Sequence, residues 1–138
     1  MSIESLTIEQ LQSFELFRNL EPADLDKILE RHFCISISED QVLVQESDWG
    51  ETLFLILDGI AKARCFSPDG EEVVLSLLGA EDVFGEMALL DEEPRSADVI
   101  ALTPLSYVKL SGSCFRRLML SRGALAIGIA RLQARRLR

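Results

Sequence analysis

Three side chains able to do recognition chemistry lie close together in this sequence. They are Glu86, Arg95 and Ser96, in the run F-G-E-M-A-L-L-D-E-E-P-R-S-A at residues 84–97. Arg95 carries a planar, permanently charged fork that fits the oxygens of a phosphate. Ser96 adds a hydroxyl beside it. Gly85 lacks a Cβ, so the chain can turn sharply there and approach a ligand closely. Residues 86–90 are good helix formers, enough for one to two turns. The first amides of that turn, around Glu86, Met87 and Ala88, have no helical partner and can face an anion. Pro94 ends the excursion, because it forces the residue before it out of α geometry. One anion would therefore meet helix-start amides, a guanidinium and a hydroxyl. Glu86 repels phosphate, so it requires a neutral donor such as a sugar hydroxyl. The implied ligand carries a phosphate and a hydroxyl close together.

This run resembles the phosphate-binding cassette of cyclic nucleotide-binding domains. Those domains occur in catabolite-activator-like bacterial regulators, in kinase regulatory subunits and in some ion channels. The resemblance implies that the glutamate holds the ribose 2′-hydroxyl, while the arginine and the helix-turn amides hold the cyclic phosphate. Carried over residue by residue, Gly85, Glu86, Met87, Ala88, Arg95 and Ser96 are the expected ligand-binding residues. Serine after the arginine is similar to the cyclic AMP pattern; threonine there would favour cyclic GMP. Gln133 is the only uncharged polar side chain after Ser121 and is the candidate contact to the base. Arg95 is expected to have no obligatory protein partner, so that it waits for the ligand.

The elements around the cassette follow from periodicity. Thr7 stands three residues before Gln10, a capping-box spacing, and Ile8, Leu11 and Phe14 recur on a helical beat over residues 7–16. Glu21-Pro22 starts a second helix with proline in its first turn. From Phe33 the apolar period changes to two, which reads as strands. Short strands at residues 33–38, 42–44, 52–57, 60–66, 73–78, 98–102 and 105–110 are parted by turn signals, among them Ser47-Asp48-Trp49-Gly50, Asp58-Gly59 and Ser67-Pro68-Asp69-Gly70. The glycines at 50, 59, 70 and 79 are read as turn geometry. Ser111 can cap a helix over residues 113–120, Gly123 can sit just past its end, and a last helix runs over residues 124–138. Its apolar stripe Leu125, Ile129, Leu132 and Leu137 either packs on the chain's own barrel or forms a seam for a partner helix.

The expected fold is mainly β: a double-stranded β-helix, or jelly-roll, barrel with short N-terminal helices and C-terminal helices. One domain over residues 1–138 is expected, with a helical lead-in at about 7–30, a barrel at about 33–110 and terminal helices at about 111–138. A length of 138 residues with 48% hydrophobic content supports one real core.

Charge and composition exclude several classes. All 23 acidic residues lie at or before Asp98, whereas residues 111–138 hold seven arginines. The acidic body repels nucleic acid, and the arginines near a helix C-terminus complement its dipole, so no direct nucleic-acid contact is expected. Cys34, Cys65 and Cys114 are scattered and His32 is the sole histidine, so no metal cluster or disulfide framework is signalled. No nucleophile–base pair or Walker-type loop appears, so no enzyme and no cofactor are expected. Residues 1–10 lack a long apolar run, and residues 124–130 are too few to span a bilayer, so a cytoplasmic protein off the membrane is expected. The expectation is a cyclic nucleotide sensor, with cyclic AMP (cAMP) favoured, whose occupancy repositions the C-terminal helices. It could come from a transcriptional regulator without its DNA-binding part or stand alone, and it could form a homodimer through the last helix. The alternative is a ligand-free jelly roll used for protein–protein contact.

Overall fold

A computed structural model describes residues 5–47 and 50–138. The chain opens with α1 (Ile8–Gln12), where Thr7 and Gln10 close a reciprocal capping box. The helix stops earlier than its periodicity implies. Ser13 Oγ donates to the Gln10 carbonyl at 2.6 Å, taking an acceptor near the helix end. A 3-10 turn at Glu15–Phe17 follows. Pro22 occupies the first turn of α2 (Pro22–Leu29), where its missing N–H costs no helical hydrogen bond.

Among the described residues, eight strands follow in two antiparallel sheets. The first sheet holds β1 (His32–Ile37), β8 (Leu105–Ser111), β3 (Thr52–Asp58) and β6 (Val83–Phe84), in that spatial order. The second holds β2 (Val42–Val44), β7 (Asp98–Ala101), β4 (Ala61–Phe66) and β5 (Glu72–Leu78). This is a jelly-roll barrel, the fold expected from the sequence. The expected turn at residues 47–50 includes Asp48 and Trp49, which lie outside the described residues.

Strand β3 explains how the sheets and helices share one chain. Its near-continuous apolar run is buried on both faces. Phe54 and Ile56 point into the barrel with Phe84, Val99 and Tyr107. Leu53 and Leu55 point outward into a second core built with Leu11, Phe17, Leu25, Phe115 and Leu125 from the helices. Phe17 and Phe115 meet edge to face, 6.1 Å between centroids, locking the lead-in onto α4 (Gly112–Ser121). Burial of each large side chain contributes about 1.5–3 kcal/mol.

Two apolar strands face solvent more than alternation suggests. Phe33 is 68% exposed, and most of β5 is open, with Leu77 at 64%. Strand β5 is the end strand of its sheet, so nothing in the sheet covers its outer edge.

Helix α4 is capped by Ser111 as expected. It ends because Arg122 is extended (φ −127°, ψ 99°), whereas Gly123 already begins α5 (Gly123–Leu137). The break is therefore not a left-handed glycine cap. In α5, Leu125 and Ile129 are buried in the chain's own helical core, with Leu132 packed against it. The apolar stripe thus packs inward except for Leu137, which at the end of the helix is exposed, as is Ile127.

Candidate functional site

The cassette forms where β6 meets a short helix, α3 (Glu86–Asp91). Gly85 precedes it in the left-handed region at φ 93°, which a side chain rarely adopts. A Cβ there would also lie 2.8 Å from Arg95 Nη1 and 2.9 Å from the Thr52 carbonyl. Glycine is required twice over, by dihedral and by space. Gly85, Glu86, Met87, Ala88, Arg95 and Ser96 all line one cavity of about 440 Å³. Leu75, Leu78, Phe84 and Val99 supply an apolar wall to the same cavity.

Arg95 is 8% exposed. Its Nη1 donates to the Gly85 carbonyl at 2.9 Å and its Nη2 to the Thr52 carbonyl at 2.8 Å. The guanidinium also stands over the Phe54 ring, 5.5 Å from its centroid. This corrects the expectation that Arg95 has no protein partner. Main-chain carbonyls on β3 and at the cassette start hold the fork in place. Gly50 is corrected likewise. A Cβ on it would sit 2.7 Å from Arg95 Nη2, so Gly50 makes room for the guanidinium as well as shaping the chain.

Glu86 is 1% exposed. Its Oε1 accepts from Gln133 Nε2 at 2.7 Å and from Arg136 Nη1. Arg136 Nη2 also donates to the Val83 carbonyl. Both partners come from the last two turns of α5, which is thereby pinned over the start of the cassette. Glu86 Oε2 is buried and has no hydrogen-bond partner among the described residues. A buried carboxylate oxygen without a donor is costly, and a ligand hydroxyl would satisfy it. Gln133, read as a candidate base contact, touches Glu86 instead.

Sequence reasoning missed Arg136 and Arg116. Arg136 stands among several arginines near the end of a helix, and no local pattern separates it from them. Arg116 on α4 donates through Nε and Nη2 to the Leu89 carbonyl, at 3.3 and 3.1 Å. Leu89 lies in the last turn of α3, whose carbonyls have no helical partner. Arg116 thus ties the cassette helix to α4. Ser96 and Met87 are exposed on the rim, while Ala88 is buried.

At the far end of α4, Arg122 makes a two-pronged ion pair with Asp24 of α2, Nε to Oδ2 at 2.8 Å and Nη2 to Oδ1 at 3.2 Å. Hydrogen bonding from this guanidinium holds the Asp24 carboxyl below its ordinary value, against the opposing effect of burial. Among the described residues, no group of histidine, cysteine or carboxylate side chains is arranged to hold a metal.

The chain is similar to regulators of known kind. It is 26% identical over 123 residues to the CRP-like cAMP-activated global transcriptional regulator of Mycobacterium tuberculosis, covering 89% of this chain and 55% of that protein. It is 34% identical over 125 residues to the cyclic AMP receptor protein of Thermus thermophilus, covering 89% and 57%. The crystal structure of Thermus thermophilus catabolite activator protein superposes with a TM-score of 0.76 at 32% identity, over 89% of this chain and 58% of that one. The chain spans about half the length of these curated relatives. Residues 34–122 match the cyclic nucleotide-binding domain. With cassette, barrel and relatives in agreement, the chain belongs to the cyclic nucleotide-binding domain family.

Proposed function

We propose that this chain is a cAMP sensor, a binding module rather than a catalyst, in which Glu86 receives the ribose 2′-hydroxyl. Arg95, Ser96 and the amides around Gly85, Met87 and Ala88 receive the cyclic phosphate. The observation that carries the reading is the buried Oε2 of Glu86, unpartnered among the described residues, beside a cavity that Arg95 also lines. Ser96 after the arginine, and the cAMP named in the relatives' descriptions, favour cAMP over cyclic GMP. The reading takes residues 1–138 as one such domain of a cytoplasmic regulator. No helix among the described residues is long and apolar enough to cross a membrane.

Occupancy is read out by α5. Arg136 and Gln133 hold Glu86 Oε1, and Arg136 also lines the cassette cavity, so a nucleotide that brings its hydroxyl to the buried Oε2 displaces Arg136. A ligand moves such an equilibrium only by its differential affinity for the two helix positions. Release of Arg136 is the proposed source of that difference. Homodimerisation through α5 would use its exposed Ile127 and Leu137, since Leu125 and Ile129 are buried in the same chain.

A second reading has its own observation. Glu86 Oε1 is already occupied by the chain itself, as a ligand-free interaction module would have it. Calorimetric titration with cAMP, cyclic GMP and 5′-AMP separates the two. The sensor binds cAMP most tightly, and Glu86→Gln weakens that binding. A folded wild type that takes up none of the three at millimolar concentration supports the ligand-free module.

A further inference from the structure

A larger cavity, about 520 Å³, adjoins the cassette cavity and shares Ser76, Leu78 and Arg136 with it. It is bounded by the 3-10 turn, by the β5–β6 connection and by α5. Its apolar lining includes Leu16, Leu20, Leu78 and Leu132.

The charged groups on its wall are unevenly matched. Glu15 accepts from Arg135 at 2.8 and 2.9 Å. Arg18 and Arg131 line the same cavity, and both add attraction to the Glu15 carboxylate, which sits below its ordinary pKa chiefly through the Arg135 hydrogen bond. Three guanidiniums therefore gather around one carboxylate. Arg18 and Arg131 make no side-chain hydrogen bond or ion pair within the described residues. Arg131 and Arg135 are four residues apart on α5, a like-charge spacing that Glu15 offsets through its ion pair with Arg135. Arg136 also reaches this wall, but its guanidinium is engaged by Glu86 and Val83. Across the cavity stand Glu81 and Asp82. Asp82 Oδ2 accepts from the Gly79 amide at 2.7 Å, within its own turn. Those two carboxylates oppose any anion near them, which leaves Arg18 and Arg131 as the groups to meet an anionic head.

We propose that this cavity is a second ligand site, taking a small organic anion with one carboxylate or phosphate head met by Arg18 and Arg131 and an apolar body against the leucines. An occupant would join α5 to the lead-in, so it should stabilise the docked position of that helix. The site needs no cyclic nucleotide and stands or falls independently of the cassette reading.

The test titrates the nucleotide-free protein with decanoate, decyl phosphate, decanol and inorganic phosphate, all below micelle-forming concentrations. Decanoate or decyl phosphate should bind saturably at one per chain and raise the melting temperature, and the tighter of the two identifies the head group. Decanol and inorganic phosphate should each bind at least about tenfold more weakly, lacking one half of the match. Arg131→Ala and Arg18→Ala, each checked for native circular dichroism, should each weaken the anion by about tenfold and leave cAMP affinity unchanged. Equal binding of decanol and decanoate would reduce the cavity to a non-specific apolar patch. Anion binding indifferent to both arginine variants would place the anion elsewhere and overturn the proposal.

Discussion

Arg136, near the end of α5, donates its guanidinium to Glu86 at the start of the cassette helix, 50 residues earlier in the chain. The carboxylate proposed for the ribose is thus already matched by a charge of the protein's own. The first prediction tests that competition. Arg136→Met should leave Glu86 buried without its ion partner and lower the stability of the nucleotide-free protein by roughly 1–3 kcal/mol. It should also tighten cAMP binding, because the competitor is gone. A hydrogen bond to a charged group contributes about 1.5–3 kcal/mol, so the gain should be about tenfold to a hundredfold. The double variant Arg136→Met, Glu86→Gln should regain stability, since no unmatched charge remains. Weaker cAMP binding in the single variant would make Arg136 part of the ligand site instead.

Arg95 should show two losses at once. Arg95→Ala removes one side of a charge-assisted pair with phosphate, which costs roughly 2–5 kcal/mol and lowers affinity about 30-fold to several thousand-fold. It also strips donors from the Gly85 and Thr52 carbonyls. The melting temperature without ligand should therefore fall. Arg95→Lys should recover part of the affinity, because a point charge cannot reproduce the fork. Gly50→Ala offers a milder test. Its Cβ would press on the guanidinium of Arg95 and push it from its place, so affinity should drop. Gly112→Ala is the opposite case. Its Cβ would lie 1.8 Å from the Glu51 carbonyl, so thermal denaturation should show a severe loss of stability.

The difference between what the sequence disclosed and what it concealed follows distance along the chain. Thr7 with Gln10, Pro22, and the turn at Gly70 (φ 82°) act within four residues, so their patterns are legible directly. The cassette is legible for the same reason: Gly85, Glu86 and Arg95 all fall within eleven residues. The second partner of each group was hidden. Gly50 reads as a turn glycine, and only the tertiary structure brings it against Arg95. Arg136, Arg116 and Arg122 look alike as basic residues on helices, yet they meet Glu86, the Leu89 carbonyl and Asp24 respectively. Strand β5 misleads for another reason. Its apolar residues imply burial, but its place at the sheet end is set by topology.

Arg116 links the cassette helix to α4, and α4 leads into α5. If that link carries the response, Arg116→Met should separate binding from readout. Affinity for cAMP should change little, because Arg116 lies outside the cavity lined by the cassette. Stability should fall by roughly 1.5–3 kcal/mol for the lost hydrogen bonds from a charged donor. Hydrogen exchange of the α5 amides should respond to cAMP in the wild type and clearly less in the variant. An undiminished response would show that the apolar packing of Leu89 on α4 suffices.

The junction of α4 and α5 is fixed by Arg122 to the buried Asp24, 2% exposed. The guanidinium hydrogen bonds hold the native Asp24 carboxyl below its ordinary value, so between the two values the unfolded chain binds a proton that the native protein does not. Stability from this pair is therefore complete above the ordinary aspartate range and is lost as pH falls below about 4 towards the lowered native value. Glu15 and Glu72 are lowered by their own arginine and lysine partners and add to the acid slope of the wild type. The Asp24 part is isolated by comparison with Asp24→Asn. Chemical denaturation of both proteins from pH 7 to pH 3 should show the wild type ahead at neutral pH and the gap narrowing below about pH 4. The same narrowing should appear with Arg122→Met, since either change removes one pair. A gap that stays constant with pH would mean that Asp24 titrates alike in both states and that Arg122 holds the junction by packing alone.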